Sequence, residues 1–253
     1  SVTNNAGQMP IQLALDNGHD AAVRVLAETP GAEGNTVVAV AAHEGDVELL
    51  KRLIAAKVSL DTPNVNGQTP LILASRNGHS DAVQVLATAG AKLDVSDDEG
   101  FTALAEAADN GHVDVMKTLI SAKASLKFTR MSPLISATDK GHLEAVQVLA
   151  DAGADLGACL EDGIPALVVA AWGNKVELVK TLIAKKASLD IRTPAGETAL
   201  FLAAAEGYEE VVQALLDAGA RHDITTNEGI DAFTVASDNK HRGVARLLVA
   251  ADM

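Results

Sequence analysis

Seven histidines and a single cysteine are the side chains through which this chain could bind a metal or carry nucleophilic chemistry. A zinc site needs several such ligands converging, and in sequence it shows as histidines or cysteines a few residues apart. That spacing is missing. His19, His79, His112 and His142 each directly follow a glycine and recur at long intervals, while His43, His222 and His241 have no histidine at ligand spacing. His43-Glu44 lacks the second histidine of a zinc-protease helix. Cys159 has no adjacent basic residue and no evident histidine partner, so an activated thiolate is not expected. Asp97-Asp98-Glu99 and Glu161-Asp162 do not alternate as calcium-loop ligands do and read as solvated turns. No phosphate-binding loop, dinucleotide fingerprint or nucleophile elbow occurs. The expectation is no catalytic residue, no cofactor and no metal.

The elements that would carry these residues are clearest from Asn64 to Ser96. Asn64-Val65-Asn66-Gly67 is turn chemistry, with Gly67 free to take a positive φ. Thr69 can cap orphan N–H groups, and Pro70 sits where the first helical turn needs no donor. Leu71, Leu73 and Ala74 begin a short apolar helix that Asn77-Gly78 ends. Ala82, Val83, Val85 and Leu86 then mark a second helix, closed by Gly90. Such a helix–turn–helix is too small to bury its own apolar face.

It recurs. The inter-helix glycine returns as Gly18, Gly45, Gly78, Gly111 and Gly141, then as Asn174, Gly207 and Lys240, at separations of 27, 33, 33, 30, 33, 33 and 33 residues. Thr69-Pro70-Leu71-Ile72-Leu73-Ala74, with Ser132-Pro133-Leu134-Ile135-Ser136-Ala137 close to it, resembles the ankyrin repeat. The resemblance spans the whole chain and implies an all-α ankyrin-repeat solenoid of stacked helix–turn–helix units with hairpin-like loops. One domain, 1–253, is expected, in approximate repeats 2–31, 32–63, 64–96, 97–126, 127–159, 160–192, 193–225 and 226–253. The first repeat is degenerate, Pro165 stands where the sixth should have threonine, and Asp231-Ala232-Phe233 with Lys240-His241-Arg242 makes the eighth a C-terminal cap. The resemblance also makes the histidine after the inter-helix glycine a framework residue that hydrogen-bonds locally, with His43, His222 and His241 off that framework.

A longer period is superimposed. Second helices alternate between AVQVLA-type and LI-x-x-K endings, so Gly90, Gly153 and Gly219 alternate with Lys57, Lys123 and Lys186. Copying of a two-repeat block explains the pattern without a functional lysine row.

Aromatics are only 2% of the chain against 48% hydrophobic residues, so the core must be Ala, Leu and Val, which suits closely stacked helices. A net charge of −14 argues against a nucleic-acid surface, which needs a basic stripe, and favours a basic partner. Part of that acidity is structural, since Glu48, Asp81, Asp114, Glu144, Glu177 and Glu210 fall in the first turn of each second helix, opposite the macrodipole. No apolar run approaches the roughly 18 residues that span a bilayer. One cysteine cannot form an intrachain disulfide, and no leader is visible, so an intracellular, cytoplasmic setting is expected. The first repeat lacks a polar capping segment, and a processed form or excised segment is expected.

The informative residues are those the framework leaves free. By the resemblance, hairpin tips and the exposed ends of first helices form a concave recognition surface. Tips supply Asn35, Val65, Asn66, Gln68, Asp98, Glu99, Phe101, Phe128, Met131, Glu161, Asp162, Ile164 and Glu197. Helix ends supply His43, Glu44, Arg76, Asn77, Asp109, Asn110, Asp139, Lys140, Trp172, Glu206 and Asp238. Carboxylates outnumber cations there, and Phe101, Phe128, Met131, Ile164 and Trp172 gather in the fourth to sixth repeats. The candidate protein-binding set is Arg76, Phe101, Asp109, Phe128, Met131, Asp139, Ile164, Trp172 and Glu206. The function expected is a non-enzymatic scaffold or adaptor that binds a basic or mixed basic–apolar protein surface, monomeric alone or within a hetero-complex, with no nucleic acid and no membrane insertion. The alternatives are a structural subunit of a larger assembly, or a targeting module of a larger multidomain protein.

Overall fold

The computed structural model describes residues 10–31, 34–127, 130–157, 159 and 163–251. Two compact units divide the chain, Ser1–Ser125 and Leu126–Met253. Among the described residues the first holds four helix pairs: α1 (Pro10–Asp16) with α2 (Asp20–Glu28), α3 (Val37–Glu44) with α4 (Val47–Ala55), α5 (Pro70–Arg76) with α6 (Ser80–Thr88), and α7 (Ala103–Asp109) with α8 (Val113–Ser121). The second holds α9 (Pro133–Lys140) with α10 (Leu143–Asp151), α11 (Ala166–Trp172) with α12 (Val176–Ala184), α13 (Ala199–Glu206) with α14 (Glu209–Asp217), and α15 (Ala232–Asp238) with α16 (Arg242–Ala251).

Six of the first helices, α3, α5, α7, α9, α13 and α15, start on a short polar side chain. The hydroxyls of Thr36, Thr69, Thr102, Ser132 and Thr198, and the Asp231 carboxylate, each accept the N–H three residues on. That satisfies one of the orphan donors of the first turn. Pro165 stands at this place before α11 and makes no side-chain cap bond. The six carboxylates expected in the first turns of second helices are found there.

Within the first unit α3, α5 and α7 pack in one row and α4, α6 and α8 in another; α2 packs on α3. The second unit repeats this with α9, α11, α13 and α15 inside and α10, α12, α14 and α16 outside. Position in the row explains the two sequence patterns. An outer helix buries one stripe, such as Leu50 and Leu53 on α4 or Val83 and Leu86 on α6. An inner helix is wedged between its neighbours and is apolar nearly all round: α5 buries Pro70 through Ser75. Seven inner helices carry an alanine at one shared position, and Ala41, Ala74, Ala107, Ala137, Ala170, Ala203 and Ala236 are all 0–1% exposed. A small side chain there lets helices approach closely, and a larger one would overpack.

The turn between paired helices needs a left-handed residue. Gly45 and Gly78 take φ of 72° and 75°, and a Cβ on either would lie within 3 Å of the His79 or His112 ring below. Lys57, Lys123 and Lys186 also have positive φ, at the places where Gly90, Gly153 and Gly219 close other second helices.

The loops are hairpin-like, with isolated antiparallel bridges Ser96–Thr102 and Cys159–Pro165. Tips close by paired backbone bonds, Asp97 donating to Phe101 at 2.9 Å and Asn64 to Gln68 at 3.0 Å. Here one expectation is corrected. Asp97 is not a solvated turn residue: it is 7% exposed, and its carboxylate accepts the N–H groups of Glu99 and Phe101. Asn64 does the same for Asn66 and Gln68. Glu161 and Asp162 lie outside the described residues.

Candidate functional site

The histidine framework is the first constraint on any site. His79 and His112 do not bond locally, as expected from sequence, but across to the preceding helix pair. The Nε2 atoms of His79 and His112 lie 2.9 Å from the carbonyls of His43 and Arg76. Those carbonyls end an inner helix, where no intrahelical partner exists. His241 is a second correction: it belongs to this framework, with Nε2 3.0 Å from the Ala205 carbonyl. Lys175 fills the same place and donates from Nζ to the Asp139 carbonyl at 2.6 Å. These histidines hold the ends of inner helices. Among the described residues no three or more His, Cys, Asp or Glu side chains are grouped to hold a metal ion, and no helix is long and apolar enough to cross a membrane.

In the first unit, Arg76 at the end of α5 and Asp109 at the end of α7 are half-buried, as is Phe101 beyond its hairpin tip. Arg76 reaches Glu106 on α7, Nη2 to Oε1 at 2.5 Å. Gln68 packs on the same guanidinium with its amide oxygen toward it, 2.7 Å from Nη1 and 2.9 Å from Nη2, the orientation a donor-only group requires. The hydrogen bond that Arg76 donates to Glu106 raises the Arg76 pKa against the opposing effect of burial; Asp97 and Glu99 add to the rise.

Glu106 escaped sequence reasoning, although a signal was there. Its helix reads ALAEAAD, and the corresponding positions of other inner helices carry Val40, Leu73, Val169, Leu202 and Val235. A lone carboxylate on that apolar stripe must be paired if buried.

Between α3 and α5 a groove of about 350 Å³ opens. Val40 and Leu73 form its apolar wall, and Asn35, His43, Glu44, Asn64, Asn66, Gln68 and Arg76 supply its polar rim.

In the second unit, Met131 and Ile164 are half-buried while Asp139 and Glu206 are exposed. Trp172, at the last position of α11, is 58% exposed. Gly173 and Asn174 follow it, and Asn174 takes the left-handed turn position with φ of 52°. The turn therefore keeps its geometry despite losing the usual glycine. Phe128 lies outside the described residues.

A family model for ankyrin repeats, in three copies, matches residues 37–129, 90–159 and 167–253. The fold is similar to the crystal structure of the human ASB11 ankyrin repeat domain, with a TM-score of 0.74 and 26% identity, over 86% of this chain and 98% of that one. It is also similar to the ankyrin repeat domain of Bcl-3, described as a unique member of the IkappaB protein family, with a TM-score of 0.78 and 26% identity, over 86% of this chain and 99% of that one. No curated protein sequence matches the chain.

Proposed function

The chain belongs to the ankyrin-repeat family, whose domains mediate binding to protein partners, and on that premise we propose that it is a non-enzymatic recognition scaffold or adaptor. It is a single array of eight repeats that binds a basic or mixed basic–apolar protein surface. Contact is made through hairpin tips and inner-helix ends. The observation that carries this reading is Trp172. An indole 58% exposed at an inner-helix end buries much apolar area on binding, loses little entropy and keeps an N–H for hydrogen bonding. The exposed carboxylates of Asp139 and Glu206 on the flanking inner helices, and the net charge of −14, suit a basic partner. Arg76, Phe101, Asp109, Met131 and Ile164 complete the proposed contact set, with Phe128. A lone cysteine with no disulfide fits a reducing, cytoplasmic setting.

The test is binding of a partner captured from the source cell. Trp172→Ala weakens it by at least about 2 kcal/mol, the threshold for a hot spot, with an unchanged circular dichroism spectrum. Equal affinity of variant and parent would remove the indole from the interface.

A further inference from the structure

The groove between α3 and α5 differs in chemistry from the Trp172 surface. Its cation is already spent: Arg76 is tied to Glu106 at 2.5 Å and to the Gln68 amide oxygen. Glu44 lines the same groove, is exposed, and has no ion-pair partner among the described residues. The groove therefore carries one uncompensated negative charge, despite an arginine in its wall.

The neutral groups around Glu44 are held in place and left partly open. Asn64 donates from Nδ2 to Asn35 Oδ1 at 3.1 Å, which fixes the Asn35 carboxamide and leaves its Nδ2 available. Asn66 spends its main-chain N–H on Asn64 at 3.0 Å and leaves its carboxamide open. Asn77 Nδ2 lies 3.0 Å from His43 Nδ1, which must therefore accept, so the His43 proton sits on Nε2 as a donor. A carboxamide offers a donor and an acceptor side by side, the complement of a peptide group's C=O and N–H.

Resting on the scaffold reading, we infer that this groove binds an extended segment of the partner protein carrying an arginine or lysine. The cationic side chain pairs with Glu44. The segment's main chain is read by Asn35, Asn66 and the His43 Nε2–H. Two features favour this occupant over an apolar helix. The rim is mostly hydrogen-bonding groups, and the charge is a single carboxylate flanked by carboxamides rather than a broad acidic field. Asn64, Gln68 and Glu106 are the positioning residues, since each acts by fixing another side chain.

The experiment uses the full chain, labelled with nitrogen-15, and follows amide shifts at low salt. The probes are the capped pentapeptide acetyl-Gly-Ala-Arg-Ala-Gly-amide, its glutamine counterpart, and guanidinium chloride. The arginine peptide is expected to shift the amides of Asn35, His43 and Asn66 saturably and to bind about fivefold more tightly than the glutamine peptide, the size of one partly exposed ion pair. Glu44→Gln is expected to erase that preference while leaving the spectrum otherwise native. Absence of saturable shifts, an arginine preference that survives Glu44→Gln, or equal shifts from guanidinium chloride alone would each overturn the inference. Trp172→Ala keeps the two readings apart, because Trp172 lies in the other compact unit. Unchanged peptide binding by that variant is expected here, whereas its effect on the captured partner reports on the scaffold reading alone.

Discussion

Arg76 and Glu106 are joined across neighbouring helix pairs, Nη2 to Oε1 at 2.5 Å, with the glutamate side chain 4% exposed and the arginine 38%. The carboxylate occupies a place that is apolar in most inner helices, so its burial depends on the arginine. Asn110 Nδ2 approaches the other oxygen at 3.4 Å, too long to substitute for a charge. Removing the arginine leaves a buried anion. Removing the glutamate leaves a cation that can turn to water.

Arg76→Ala is therefore expected to cost about 2 kcal/mol, below the 3–5 typical of a fully buried pair because one partner is partly solvated. Glu106→Leu, the residue type of Leu73 and Leu202, is expected to cost little, and the double variant to recover most of the Arg76→Ala loss. Urea unfolding reads this directly. Equal costs for the two single variants would sink the account.

Lys57, Lys123 and Lys186 hold positive φ values of 58°, 73° and 66°, a conformation that crowds the Cβ of any residue but glycine. Lys123→Gly is expected to raise stability by roughly 0.5–1 kcal/mol, after allowing for the extra freedom glycine has when unfolded. Gly90→Ala, with φ of 91°, should lower it by a similar amount or more. Thermal midpoints of the two variants moving in the same direction would show that backbone strain is not the controlling term.

Asp231 caps α15, and the bonds from Thr234 hold its carboxyl pKa below the ordinary 3.8. The sign follows from linkage. A lowered folded pKa means the contribution is fully present above the unfolded pKa and is lost as pH falls through the folded value. Asp231→Ala is expected to cost about 1 kcal/mol at neutral pH, the usual worth of such a cap. The difference from the parent should shrink only below about pH 4, near the unfolded aspartate pKa. A variant whose deficit stayed constant from pH 7 to pH 2 would show that the charge plays no part in the cap.

Trp172 is the only tryptophan, so intrinsic fluorescence reports on one position. With 58% of the residue exposed, emission is expected to be red-shifted and quenched by iodide or acrylamide. Binding of a partner at this end of α11 should shift emission to the blue and protect it. A blue, unquenchable indole in the free protein would place the ring in the core and end its candidacy as an anchor.

The helix pairs, their caps and their turns were legible in the chain because each is decided within a few residues. Thr69 reaches only the N–H of Ile72, and the left-handed turn at Gly78 depends on the absence of its own side chain. Repetition at 33 residues then implied stacking, since one pair cannot bury its own face. What the tertiary structure decided is every relation between neighbouring pairs. His79 and His43 are 36 residues apart, Arg76 and Glu106 are 30 apart, and nothing local to either residue names its partner. His241 looked irregular because Lys240 replaces the glycine before it, yet Lys240 adopts the left-handed turn itself, with φ of 67°, and the ring reaches the Ala205 carbonyl. Trp172 likewise could have turned into the stack or out of it. Its exposure follows from the Asn174 turn keeping the ordinary left-handed geometry, a compensation written in backbone angles rather than in residue types.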